Sequence, residues 1–385
     1  MLIYQDFIFS LKKELRMNKF LKSLLFFITH IFSRREYDVV FYYPSHFNRG
    51  NENKNLFFSP YYKACDSNNL KYIIFEEPCF GASINKDSIP IDFIFYIIQI
   101  LRKIIPISNG IKRDNFIGAF IGRTILRFLR FKNVIVISKS MLSFFKGINP
   151  NARIFDVQHG IIYENKSDYF IDNTVSEHLE KNDIFLLLFG NRFLDILKKK
   201  DLTKYFEMHA FVIGGNIVGT TNLHQKFNNN ILISLQFTHD HTASENAILL
   251  EELNDFITSS RKGINFYLKN HPRFNNEVNL SEIFKLPNVI VAPSDINECF
   301  SLCSLHATAY STSTFEAALL GIPTILIPSE NEFNFFQKEF NYPLNNSIDE
   351  FSAISFYQEK SNIIKGWATA YYTPFNESKF LNLLR

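Results

Sequence analysis

Three clusters in this 385-residue chain have the residue types and spacing for group-transfer chemistry. The first, Asp156-Val157-Gln158-His159-Gly160, closes a β-branched run. Gly160 permits a sharp turn and leaves His159 displayed at the strand's C-terminal edge. An unshifted histidine titrates near neutrality, so it can take a proton from an attacking hydroxyl, with Asp156 orienting or charge-tuning it. The second, Lys269-Asn270-His271-Pro272-Arg273, also ends a strand, where open α/β sheets bind their ligands. An imidazolium on a proline turn, flanked by two cations, suits the charge that develops on a departing phosphate. The third is AYSTSTFEAALLGIPTILIP (309–328). Ser311, Ser313 and Thr314 open a helix whose free N–H groups attract an anion, and Glu316 in the first turn is placed to accept from ribose hydroxyls. Each cluster has a plainer use as well. Ser313 and Glu316 suffice for an S-x-x-E capping box, and either histidine can be an ordinary turn residue.

Two loops are weaker candidates. Thr238 and His239 follow the first strand of the second half and are expected to touch donor phosphate or sugar. The run His239-Asp240-His241 has metal-ligand composition, but the nearby Glu245 belongs to the next helix's first turn, and no metal site is expected. Arg49, in the loop after the first strand, is a candidate for an acceptor phosphate.

The 309–328 segment resembles the donor-nucleotide signature of GT-B glycosyltransferases and related sugar epimerases, in which a Ser/Thr-rich turn precedes a helix with Glu-Ala and then Gly-x-Pro. The His271-Pro272 pair resembles the motif of bacterial enzymes with cytidine-linked donors: sialyltransferases, Kdo transferases of capsule assembly and CDP-glycerol glycerophosphotransferases. His159-Gly160 is similar to the N-terminal motif of the last two groups. These resemblances imply His271 as a contact of the donor phosphate and His159 as general base. They also imply a GT-B fold, in which two Rossmann-like domains face each other across a cleft.

The elements that must position these residues are legible as alternating strand and helix patterns, the sign of βαβ units and parallel sheets. Strands are expected at 38–43, 72–76, 133–137, 153–157, 183–188 and 209–213, and again at 231–240, 265–273, 288–292, 305–310 and 324–327. Helices are expected at 245–259 and 314–320, the latter closed by Gly321 and Pro323. Residues 214–230, rich in Gly, Thr and Asn, read as a linker. The expected organisation is a basic amphipathic segment (1–36), an acceptor-side domain (37–222), a nucleotide-donor domain (223–350) and a helical segment (351–385) that packs back on the first domain.

Net charge is only +3, yet cations cluster in the first 132 residues, at Lys19, Lys22, Arg34, Arg35, Arg102, Lys103, Lys112, Arg113, Arg123, Arg127, Arg130 and Lys132. Interleaved with Leu, Phe and Ile, they suit an anionic inner membrane face or a phosphate-bearing acceptor, and equally ordinary solvated helix faces. No nucleic-acid motif accompanies them. Four scattered cysteines and no apolar run of spanning length point to a cytoplasmic protein, peripheral at most. There is no Walker A loop, no G-x-G-x-x-G after a strand, no G-x-S-x-G and no Asp-x-Asp, which argues against an ATPase, a classical dehydrogenase, an α/β-hydrolase and metal-dependent sugar transfer. The expected activity is inverting, metal-independent transfer from a nucleotide-sugar donor, CMP-linked sialic acid or Kdo, to a glycan or lipid-linked glycan, with no separate cofactor. A CDP-polyol or UDP/GDP-sugar transferase, a nucleotide-sugar 2-epimerase and a non-catalytic scaffold are the alternatives.

Overall fold

The computed structural model describes residues 17–48, 54–79, 85–217, 222–271, 274–327 and 336–385. The chain divides into two compact units, 1–216 with 374–385, and 217–373. Each is built on a parallel sheet, as expected where strands read as nearly continuous apolar runs buried on both faces.

The first unit contains β1 (Arg35–Pro44), β2 (Tyr72–Glu77), β3 (Ile89–Pro90), β4 (Leu129–Ile137), β5 (Arg153–Val157), β6 (Phe170–Ile171), β7 (Thr174–Val175), β8 (Ile184–Leu188) and β9 (Ala210–Val212). Seven of them form a parallel sheet in the order β3-β2-β1-β4-β5-β8-β9, while β6 and β7 make a small antiparallel pair. Successive β1 residues face opposite layers. Phe41 meets Tyr62 of the helix Ser59–Ser67 and Phe58, its N-cap residue, whereas Tyr42 meets Phe145 of the helix Leu142–Ile148. This last helix packs on Gly110–Arg123 so closely that a Cβ at Gly118 would lie 2.1 Å from the Phe144 carbonyl oxygen. The chain's end returns to this unit. Asn376 N–H donates to the Ile213 carbonyl, and Tyr61 meets Phe380 of the helix Glu377–Leu384.

The second unit contains β10 (Asn230–Ser234), β11 (Asn265–Lys269), β12 (Val289–Val291), β13 (Leu305–Thr308) and β14 (Thr324–Leu326), in the order β12-β11-β10-β13-β14. Its core joins Leu232, Cys299, Phe300, Cys303, Ala317 and Ile322. The helix Ser313–Leu319 ends as the sequence requires. Gly321 takes φ +72°, its N–H donates to Ala318, and the N–H of Ile322 reaches back to Ala317, closing a Schellman motif. The long helix Ile354–Tyr371 lies in this unit, with Trp367 stacked on Phe315 at 4.7 Å.

Candidate functional site

In the second sheet β11 and β12 extend to one side of β10 while β13 and β14 lie on the other, so the order reverses between β10 and β13. Loops leaving such a switch point line the ligand crevice of open α/β sheets. The loop after β13 carries Ser311 to this point, the helix that follows it opens with Ser313 and Thr314, and β10 brings Ser234. The Ser313 hydroxyl lies 2.8 Å from Ser311 Oγ, 3.1 Å from Ser234 Oγ and 3.1 Å from His306 Nε2. His306, fully buried on β13, also places Nε2 2.9 Å from Ser234 Oγ and Nδ1 3.0 Å from Thr324 Oγ1. Burial pushes its imidazole down to about 3, so it is a neutral hub for hydroxyls. Sequence reading missed His306, because a histidine inside an apolar strand carries no motif; its partner Ser234 is 72 residues away.

The capping box that is the plainer alternative for Ser313 and Glu316 does not form. Thr312 is the N-cap, it has helical φ and ψ and makes no side-chain cap bond, and Ser313 is already inside the helix, with its hydroxyl turned to the His306 cluster. Capping boxes form elsewhere, from Thr242 and Glu245 at the start of Ala243–Ser259 and from Ser347 and Glu350. Thr314 Oγ1 is buried and has no hydrogen-bond partner among the described residues, and Glu316 is exposed.

The second cluster is partly re-read by its surroundings. Lys269 is tied down, its ammonium donating to the carbonyls of Pro293 (2.9 Å) and Ser294 (2.7 Å), so it fastens the loop after β12. His271 is half-buried, and its carbonyl accepts the Phe274 N–H. Phe274 in turn forms an antiparallel bridge with Thr238, which joins the loops after β10 and β11. Thr238 is buried and its hydroxyl accepts the Asp240 N–H, His239 is exposed, and His241 Nε2 hydrogen-bonds the Tyr310 hydroxyl. Pro272, Arg273 and Arg49 lie outside the described residues.

In the first unit the turn after β4 is unusual: Ser138, Lys139 and Met141 all have left-handed φ, at 64°, 54° and 60°. Non-glycine residues pay for this conformation and hold it where surrounding contacts over-determine it. Here the contact is Asp156, whose Oδ1 accepts the Lys139 N–H at 3.0 Å. Burial pushes the Asp156 carboxyl up to about 7, against the opposing pull of Lys139, and burial brings the Lys139 ammonium down to about 8. That ammonium lies 3.9 Å from the centre of the Tyr169 ring and 3.6 Å from Asp168 Oδ1.

His159 is half-buried, with its ring edge-on to Phe47 at 5.7 Å. Burial first, then the charges of Lys166, Lys139 and His46, push it down to about 4, with Asp168 opposing. The expectation of an unshifted histidine is corrected accordingly, and Asp156 serves the Lys139 turn instead of His159. What holds the His159 loop is Gln158. Its amide donates to the Gly160 carbonyl (2.8 Å) and accepts the Phe189 N–H (2.9 Å). Gly160 is not in the left-handed region, and a Cβ there would meet nothing within 4 Å, so the turn does not need glycine. A surface pocket of about 560 Å³ in this unit is lined by Arg35, Lys54, Tyr62 and Asn85 among others, and by none of the candidate residues.

No family model matches the sequence. No curated protein matches it by sequence. Solved structures do resemble the fold. The UDP-GlcNAc 2-epimerase of Methanocaldococcus jannaschii, in complex with UDP-GlcNAc and UDP, is 13% identical over 91% of this chain and 99% of its own, with a TM-score of 0.52. A putative UDP-N-acetylglucosamine 2-epimerase from Listeria monocytogenes is 12% identical over 91% and 95%, with a TM-score of 0.52. The wall teichoic acid polymerase TagF aligns over 90% and 88% at 12% identity, with a TM-score of 0.49. At these identities the likeness concerns the fold alone. The chain has the GT-B class of fold, mixed α/β with parallel sheets in two Rossmann-like domains.

Proposed function

We propose that the protein is an inverting, metal-independent glycosyltransferase that moves a sugar from a nucleotide-linked donor to a glycan or lipid-linked glycan acceptor. In this reading the donor is CMP-linked, carrying sialic acid or Kdo. The observation that carries the proposal is that Ser311, Ser313 and the His271 loop all follow the C-terminal ends of strands of the second sheet, with the loops after β10 and β11 joined by the Thr238–Phe274 bridge and those after β10 and β13 by the His241–Tyr310 hydrogen bond. In the first unit His159, which follows β5, is the group assigned to take the acceptor's proton; at neutral pH it is in its free-base form, and the burial that keeps it so also makes it a weaker base than an unshifted histidine.

The acceptor oxygen attacks the anomeric carbon, the bond from that carbon to the donor phosphate oxygen breaks with its electron pair leaving on the nucleotide, and His159 takes the acceptor's proton. His271 and the hydroxyls of Ser311 and Ser313 offset the charge that collects on the phosphate. The exposed Glu316 holds the ribose. Lys269 contributes through the loop it ties, and Asp156 through the turn it anchors. The likeness to UDP-GlcNAc 2-epimerases favours one second reading, a nucleotide-sugar 2-epimerase that acts on the donor without an acceptor.

The test is thermal unfolding with CMP, CDP, UDP, GDP and ADP, in the wild type and in His271→Ala, since a ligand that binds only the folded state raises its stability by about 2.7 kcal/mol at a hundred times its Kd. A cytidine-selective rise that is lost in the variant is the expected result. A UDP-selective rise with conversion of a UDP-sugar in the absence of any acceptor moves the assignment to the epimerase. No rise with any nucleotide refutes both.

A further inference from the structure

The basic stretch in the first third of the chain is not used by the transfer chemistry, and its apolar residues have an arrangement that solvated helix faces do not need. In the helix 17–30, Met17, Leu21, Leu25 and Ile28 recur at three- and four-residue intervals, so they form a single stripe. That stripe is exposed, Leu25 at 61% and Ile28 at 56%, while the opposite side of the helix buries Ser23 and Phe27. The helix Asp92–Ile104 repeats the pattern with Tyr96, Ile100 and Ile104, and Gly110–Arg123 with Phe116 and Phe120, all exposed.

The three helices are neighbours. Phe20 meets Phe93 and Tyr96 at 5.9 and 6.4 Å, the Phe93 N–H donates to Ser23 Oγ, and Arg102 makes a bidentate pair with Asp114. The first of them lies on the first sheet, where Phe26 and Phe27 reach Phe75 and Phe128. Among the described residues, ten of the twenty-one exposed large apolar side chains belong to these helices or to Phe32, just beyond the first of them. The other eleven are scattered, which is normal for a surface; a contiguous apolar face marks an interaction site.

Charge identifies the partner. From 93 to 132 there are eight lysines and arginines and one carboxylate, Asp114, which is already paired to Arg102. The helix 17–30 has no acidic residue. Lys22, Lys103, Lys112, Arg123 and Arg127 are exposed around the stripes, and Arg127 lies over the exposed Phe32 ring. Apolar stripes rimmed by cations, with no net acid on the same face, match a surface that is oily beneath and negative at its rim. No helix among the described residues is long and apolar enough to cross a membrane, so the contact is one of lying on the bilayer.

We infer that the outward face of these three helices docks the protein on a bilayer carrying anionic lipid headgroups, with the apolar stripes entering the acyl boundary and the lysines and arginines meeting the headgroups. This does not depend on the transfer reaction assigned above, because none of the candidate reacting residues lies on these helices.

The experiment is flotation of the full chain with vesicles of phosphatidylcholine alone and of phosphatidylcholine mixed with phosphatidylglycerol, at low and high salt. Binding is expected to the mixed vesicles only and to weaken with salt. Lys103→Glu with Lys112→Glu removes two cations, each about fivefold in affinity, so binding falls about thirtyfold or more. Leu25→Gln with Phe116→Gln and Phe120→Gln keeps the charge and is expected to lose at least about tenfold. All five positions are exposed, and circular dichroism and melting temperature should match the wild type. The inference is overturned by no binding of the full chain to either vesicle, by equal binding to both, or by a wild type that sediments as a dimer while the apolar variant is a monomer, which would make this face an interface between copies.

Discussion

His159 and His306 are both neutral imidazoles, held so for the same reason and serving different ends. Burial removes the water that would solvate the charged form, which lowers His159 to about 4 and His306 to about 3. As general base, His159 should give kcat/KM an acid limb near pH 4, well below an unshifted histidine. His159→Asn should cut kcat by roughly two to four orders of magnitude with little change in melting temperature. A kcat within a few-fold of wild type would reject this role. His306 is legible in stability. Its folded value lies below its unfolded value near 6.5, so between those values the unfolded chain binds the extra proton, and stability falls as pH drops through that window. The slope from this one group is about 1.4 kcal/mol per pH unit, and denaturant titrations at stepped pH should show it flattened in His306→Gln.

Turns and helix contacts show why the same residue type can matter or not. Gly118 and Gly147 let two helices approach until a Cβ on either would sit 2.1 Å from a backbone oxygen of the other, a neighbour that cannot swing away. Gly118→Ala should therefore cost about 1–3 kcal/mol despite the better helix propensity of alanine. Gly160, in the most motif-like segment of the first unit, has open space and no left-handed backbone. Gly160→Ala is expected to leave activity intact and to change stability by no more than about 1 kcal/mol, through the unfolded chain. Chemical unfolding of the pair checks both, and a Gly160→Ala more harmful than Gly118→Ala would contradict the packing argument.

The chain as a whole closes on itself, since the last twelve residues belong to the unit with which it begins. Phe380 is buried there against Tyr61, Asn68 Nδ2 donates to Glu377, and Asn133 Nδ2 donates to the Leu384 carbonyl. Removing 374–385 should destabilise the first unit by at least the roughly 3–5 kcal/mol typical of losing one buried phenylalanine. The second unit, continuous from 217 to 373, has its own core, so its nucleotide-induced shift should survive the truncation. Loss of both together would mean that the units do not fold as separate bodies.

The parallel architecture, most strand positions and the placing of His159, His271 and Ser311 at strand ends followed from the sequence alone, because hydrophobic period and turn residues act over a few neighbours. The residues β5 was assigned, 153–157, are the residues it has, and Gly321 closes its helix as read. The edge strand β3 and the β6–β7 pair, two residues each, were too short to leave a periodic signal. What each polar group does was decided only by tertiary contacts. Asp156 faces a turn 17 residues earlier, Lys269 ties carbonyls 24 and 25 residues later, and His306 gathers hydroxyls from three separate segments. Burial sets the charge of His159 and His306, and burial depends on what the rest of the chain brings alongside, which local spacing does not encode.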